Sequence, residues 1–278
     1  MNSRTASLKA RIRNIAKAKN VSAQTLLQNY MFECFLDRLS RSDYKDKFII
    51  KGGILIAVIV GLDSRSTMDL DTTLRKLELT EANIRTAINV ICYIPAEDGV
   101  SFQIDSVRQI RRDDIYGGYR VRLSAIFETM EIPLTIDISV GDVVTPKPVN
   151  VSLTGLFDDK KKIDLWAYNI ETILAEKMET VLSRNILNSR PRDFYDIYIL
   201  TTTQTYKPEL FAAAFAATSA HRGTSESISD MATLLSSITG SNALQDMWAK
   251  YRRQFSYASG LSWDVVIKSV EDLCKAIQ

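Results

Sequence analysis

From about Asp164 onward the chain reads as almost wholly helical, whereas the stretches with strand-like alternation lie before residue 141. A chain divided this way builds its sheet from one part and its helices from another, which is an α+β pattern. The strand candidates are "FIIK", "TMDLDTTL", "SFQIDSVRQI", "YRVRLSAIFE" and "IPLTIDISV", with turns at "RRDDIYGG" and "ETME". Helices are expected over residues 5–19 and 22–42, from about Gly53 to Val60, and over "TEANIRTAINVICYI" with Thr80 as its cap. The segment "GDVVTPKPVNVSL" holds two of the six prolines and reads as a connection. Beyond it, "YNIETILAEKMETVLSRNIL", "RDFYDIYILTTT", "ELFAAAFAATSA", "SESISDMATLLSSI", "NALQDMWAKYRRQF" and "SWDVVIKSVEDLCKAI" read as helices. The expected organisation is an N-terminal helical segment (1–47) packed on the next domain, an α/β core (48–150) and a helical C-terminal domain (151–278).

The available side chains restrict the chemistry. His221 is the only histidine, which excludes sites needing two or more, most zinc enzyme sites among them. A Ser-His-Asp triad would have to use it within the Ser/Thr-rich "ATSAHRGTSES". Cys34, Cys92 and Cys274 are widely spaced and form no ligand motif. Acid–base or metal chemistry must therefore rest on carboxylates, Lys and Arg. The apolar run Ile54–Leu62 is too short to span a membrane, and the N-terminus lacks the apolar core of a signal peptide. A cytoplasmic location is expected. The net charge of +2 implies no strong preference for nucleic acid, yet residues 1–20 hold six basic and no acidic side chains. Lys9, Arg13 and Lys17 recur every four residues and share a helix face, either solvated or a basic wall for a polyanion.

Four elements could carry chemistry. Asp69 and Asp71 stand at alternate positions of a strand and point to one face. Taken alone, such a pair also describes a solvated strand edge. "KGG" ends a strand and opens a helix, so free backbone N–H groups meet the helix's positive end, a geometry that binds phosphate. It is neither a Walker A loop nor G-x-G-x-x-G. Asp137 in "LTIDIS" shares a face with Thr135 and Ser139, and a divalent cation shared with Asp69 and Asp71 would give it a partner. Three strand carboxylates with no histidine suit Mg²⁺ or Mn²⁺ and phosphoryl or nucleotidyl transfer. Lys177 falls at or beside the buried stripe of its helix and wants an anion, either a carboxylate or a nucleotide phosphate. Arg190, Arg192, Asp193 and Asp196 cluster where the next helix starts, where an Asp can also be a simple cap.

Together, "RSDYKDKFIIKGG", "GLDSRSTMDLD", "LTIDISVGD", "ETILAEKMETVLSR" and "RPRDFYDIYIL" resemble the nucleotidyltransferase-like toxins of the AbiEii/AbiGii family, from bacterial type IV toxin–antitoxin and phage-abortive systems. The resemblance covers most of residues 5–200, in order. The helical tail after about residue 205 matches only in general character. It implies a DNA polymerase β-like nucleotidyltransferase fold, a mixed sheet with N-terminal helices and a helical C-terminal domain that completes the active site. It further implies that Lys51, Gly52 and Gly53 cradle an NTP's triphosphate, that Arg65 and Thr67 lie beside it, and that Asp69, Asp71 and Asp137 hold Mg²⁺ or Mn²⁺. By the same resemblance Asp137 activates the acceptor hydroxyl, Lys177 contacts the phosphates, and Asp193 is the last functional acid, ahead of Asp196.

The implied acceptor is RNA, the tRNA 3′ end, and the outcome growth arrest. The implied partner is a cognate winged-helix DNA-binding antitoxin, with or without a direct complex; no membrane is involved and a monomer is expected. A small-molecule nucleotidyltransferase of the antibiotic-modifying type and a non-catalytic GTP- or ATP-binding module are the alternatives. One position departs from the family pattern: Ile54 stands where many members carry Ser or Thr after the glycines.

Overall fold

The computed structural model describes residues 3–65, 67–110 and 117–277. Ser66 and most of the expected "RRDDIYGG" turn lie outside them. The chain divides into two compact units, Met1–Gly141 with Val149–Ala167, and Asp142–Pro148 with Tyr168–Gln278.

The first unit is built on a mixed sheet. Across it run β3 (Val100–Ile110), β4 (Gly118–Phe127), β5 (Met130–Val140), β2 (Asp69–Leu74), β1 (Phe48–Lys51), β7 (Lys162–Ala167) and β6 (Val149–Thr154). β2 runs parallel to β5 and β1 parallel to β7, and the remaining neighbours are antiparallel. Among the described residues three helices pack on it, α2 (Ala23–Ser40), α3 (Gly52–Val60) and α4 (Glu81–Cys92), and α1 (Ser3–Lys19) packs on α2. α2 packs on β5 and β7, α3 on β1 and β2, and α4 on β3. Ser22 and Thr80 cap α2 and α4 by accepting the N–H of Thr25 and Asn83. α1 buries Leu8, Ile12 and Ala16 and leaves Arg13 and Lys17 exposed. Within α2, buried Arg38 donates to both oxygens of Asp98, at 2.6 and 3.0 Å. Burial opposes the charge on Asp98, but these bonds and the Val100 N–H hold its carboxyl below the usual range.

Two strands differ from the reading of the sequence. Residues 149–154, read as connection, form β6, and residues 162–167 form β7. Pro146 and Pro148 mask the alternation Val149, Val151, Leu153, and β6 is a sheet edge whose side chains stay half-exposed or exposed. β7 does alternate, with Ile163, Leu165 and Ala167 buried and Lys162 and Asp164 exposed, but at six residues it is shorter than the helical periodicity beside it. The sheet unit thus extends to Ala167.

The second unit is helical among its described residues. α5 (Ile170–Arg184) packs on α6 (Pro191–Thr203) and α7 (Pro208–His221), and α9 (Asn242–Gln254) and α10 (Trp263–Lys275) pack on α6. α8 (Met231–Thr239) starts later than its sequence suggests, because Asp230 accepts the Thr233 N–H at 3.1 Å and caps it. Tyr195 lies at the centre of a ring cluster with Tyr198, Tyr251 and Tyr257. Among the described residues no helix is long and apolar enough to cross a membrane.

Candidate active site

β1 ends at Lys51, and Gly52 turns the chain into α3 at φ +67°, a backbone state that side-chain-bearing residues rarely adopt. Both glycines are also required by what approaches them. A Cβ on Gly52 would lie 2.1 Å from Asp71 Oδ2, and one on Gly53 would lie 2.6 Å from Thr67 Oγ1 and 3.3 Å from Arg65 Nη2. Asp71, Thr67 and Arg65 therefore crowd the start of α3, where the first backbone N–H groups have no partner inside the helix. Gly52→Ala combines backbone strain with displacement of Asp71. It is expected to cost roughly 1–3 kcal/mol and to lower the melting temperature by several degrees. Thermal melting beside a transfer assay checks it; an unchanged melt with full activity would show that the turn tolerates a side chain.

Ile54 has its own explanation. Its side chain is buried and lines a cavity of about 330 Å³ with Phe32 and Leu36 of α2 and Leu153 and Leu156 of the β6 region. It belongs to the packing of α3. The hydroxyl beside the glycine turn is that of Thr67.

The carboxylates meet through strand register. Asp71 pairs with Lys51 on one side and with Asp137 on the other, and Asp69 pairs with Thr135. Alternation then puts Asp69, Asp71 and Asp137 on one face of adjacent parallel strands. Asp69 is exposed, and Asp71 and Asp137 are half-buried. On the far side of β5, Arg120 of β4 stands opposite Asp137. Its Nε donates to Oδ1 at 2.8 Å and its Nη2 to Oδ2 at 2.7 Å, a two-pronged pair. Hydrogen bonding to Asp137 first, then the charges of Asp137, Asp69 and Asp71, raise the guanidinium above its ordinary range.

Two amides of α2 hold this array from beneath. Gln28 Nε2 donates to Met68 O at 3.2 Å and to Pro133 O at 3.0 Å, tying the start of β2 to β5. Asn29 Nδ2 donates to Thr67 O at 3.1 Å. All three bonds fall just before the parallel ladder begins, where they help set the register that brings Asp71 to Asp137.

In the second unit, Lys177 of α5 donates to Asp193 Oδ1 at 2.6 Å and lies 3.0 Å from Asp196 Oδ2. Asp193 and Asp196 are one turn apart on α6 and both are buried. Of the two anions considered for Lys177, the structure supplies carboxylates, and Asp196 shares the role with Asp193. Asp193 Oδ2 and Asn188 Nδ2 are buried with no hydrogen-bond partner among the described residues.

Among the described residues no group of three or more His, Cys, Asp or Glu side chains is placed to hold a metal ion. Asp69 and Asp71, oxygen donors on one strand face, are of the type that Mg²⁺ and Mn²⁺ take. The third carboxylate, Asp137, is bound to Arg120 instead.

Sequence reasoning missed Arg120, Gln28 and Asn29. Arg120 was within reach: Phe127 pairs with Met130, and counting back along that hairpin sets Arg120 opposite Asp137. Nothing in a helical pattern marks which polar residue will meet a strand carbonyl, so Gln28 and Asn29 carry no such signal.

A family model described as "Nucleotidyl transferase AbiEii toxin, Type IV TA system" matches residues 34–270. No curated protein matches. A solved structure of a proposed nucleotidyltransferase from H. pylori is similar with a TM-score of 0.52 at 18% identity, over 92% of this chain and 97% of that one. The structure of JHP933 from Helicobacter pylori is similar with a TM-score of 0.51 at 17% identity, over 92% and 94%. At such identity the likeness is one of fold.

Proposed function

The chain belongs to the AbiEii family of nucleotidyltransferase toxins of type IV toxin–antitoxin systems, and from that premise we propose that it transfers a nucleoside monophosphate from an NTP to an RNA acceptor, the tRNA 3′ end. The observation that carries this reading is the register that sets Asp71 opposite Asp137 and against Gly52, joining an acidic strand face to a helix N-terminus. The N–H groups at the start of α3 receive the phosphates, with Lys51 and Arg65 as nearby cations. Asp69 and Asp71 would hold Mg²⁺, which would offset the negative charge of the phosphates. Asp137 accepts the proton of the attacking hydroxyl. A new P–O bond forms at the α-phosphorus and pyrophosphate leaves. Lys177, held by Asp193 and Asp196, is assigned to the nucleotide phosphates. The exposed basic residues Arg13 and Lys17 on α1 give a polyanion somewhere to lie. Growth arrest follows from blocked tRNA ends, and a winged-helix antitoxin is the expected counterpart.

The test supplies each labelled NTP, Mg²⁺ and purified tRNA to the protein. Label on the tRNA 3′ end is the expected result. Label on a small polyol instead would move the protein to small-molecule modification. Nucleotide binding by calorimetry with no product on either acceptor would make it a binding module.

A further inference from the structure

Asp137 stands in register with Asp71 yet turns both oxygens to Arg120, and this departure from a converged acidic site has a consequence for ion binding. We propose that Arg120 is a built-in counter-ion of the acidic face, a positioning residue that holds Asp137 when no divalent ion is bound and competes with that ion for it. The inference rests on the reading of Asp69 and Asp71 as ion ligands.

Three observations support it. The pair is two-pronged, so neither oxygen of Asp137 is left without the guanidinium while it persists. Arg120 and Asp137 face each other across an antiparallel ladder, so the register alone keeps them together. The Arg120 side chain is 43% exposed, against 19% for Asp137, so the cation is the member that can swing into water. A guanidinium in this place offsets part of the repulsion among three carboxylates on neighbouring strands. It also repels an incoming cation, so its removal tightens ion binding at the expense of the ion-free fold.

The experiment is a double-mutant cycle on the whole chain, read by Mn²⁺ binding in calorimetry and by melting with and without Mn²⁺. Arg120→Met keeps much of the stem and removes the charge. It is expected to bind Mn²⁺ about tenfold more tightly than the unaltered protein and to melt earlier without the ion. Arg120→Lys, charged but unable to grip both oxygens, falls between. In an Asp137→Asn background the effect of Arg120→Met on Mn²⁺ affinity should largely vanish. Equal tightening in both backgrounds would reduce Arg120 to a distant repulsive charge and overturn the proposal. So would unchanged or weaker binding in Arg120→Met. If the unaltered protein binds Mn²⁺ and Asp69→Asn binds it equally well, the ion site itself is wrong, a separate failure. Binding that appears only in Arg120→Met would be the strongest form of the expected result.

Discussion

Asp71→Asn abolishes nucleotidyl transfer, lowering it by a factor on the order of 10³ or more, while the protein melts at or slightly above its original temperature. The first half follows from the removal of a charged oxygen where the nucleotide's metal is to be held; a few kcal/mol of lost transition-state stabilisation gives a factor of about that size. The second half follows from the strand. Asp69, Asp71 and Asp137 are like charges on neighbouring positions of one face, and Asp71 is also pressed against the Gly52 turn. Exchanging one carboxylate for an amide of equal shape removes repulsion, which outweighs the lost attraction of Lys51 across the β1 ladder, and leaves the contact with Gly52 in place. A site arranged for function at some expense of stability gives this combination. Initial rates of label transfer and a thermal melt on the same preparation check it. Transfer retained within about tenfold would remove Asp71 from the reaction. Loss of transfer accompanied by a large drop in melting temperature would make Asp71 a structural residue.

The sequence carried the parts of this site that depend on local rules. A glycine pair after a strand, two aspartates at alternate positions and a cap at Thr80 each follow from short-range geometry, and the structure places each within its expected element. What local rules could not reach was decided by neighbours. Ile54 looked like a missing phosphate contact, but its side chain is taken up by the cavity wall between α2, α3 and the β6 region. The hydroxyl at the glycines arrives from Thr67, fourteen positions beyond Gly53 and on the far side of α3. β6 was hidden because edge position and flanking prolines weaken the burial contrast on which periodicity depends, and β7 because its six alternating residues run directly into the longer helical pattern of α5. Arg120 was hidden for a different reason. Its importance lies in a cross-strand pairing, which a reading strand by strand passes over although the hairpin register encodes it.

Lys177→Met is expected to be the most destabilising of these substitutions, and its cause lies in the two acids it leaves behind. The methionine keeps an apolar stem of similar reach against α6, so the lost ammonium accounts for most of the effect. Asp193 is 3% and Asp196 0% exposed, and they sit one turn apart on the same helix. Lys177 is within 3.0 Å of both. Breaking a buried pair by deleting one partner costs roughly 3–5 kcal/mol, about 10 °C in melting temperature for a unit of this size. Adding Asp196→Asn to Lys177→Met removes one stranded charge and should recover a substantial part of the loss. The rescue also separates two roles for the lysine. If Lys177 only neutralises Asp193 and Asp196, the double variant regains transfer along with stability. If it also meets the nucleotide's phosphates, stability returns and transfer does not. A single Lys177→Met variant that melts within about 2 °C of the unaltered protein would contradict the buried-pair account, since the loss would then be well under the cost of an unpaired buried charge.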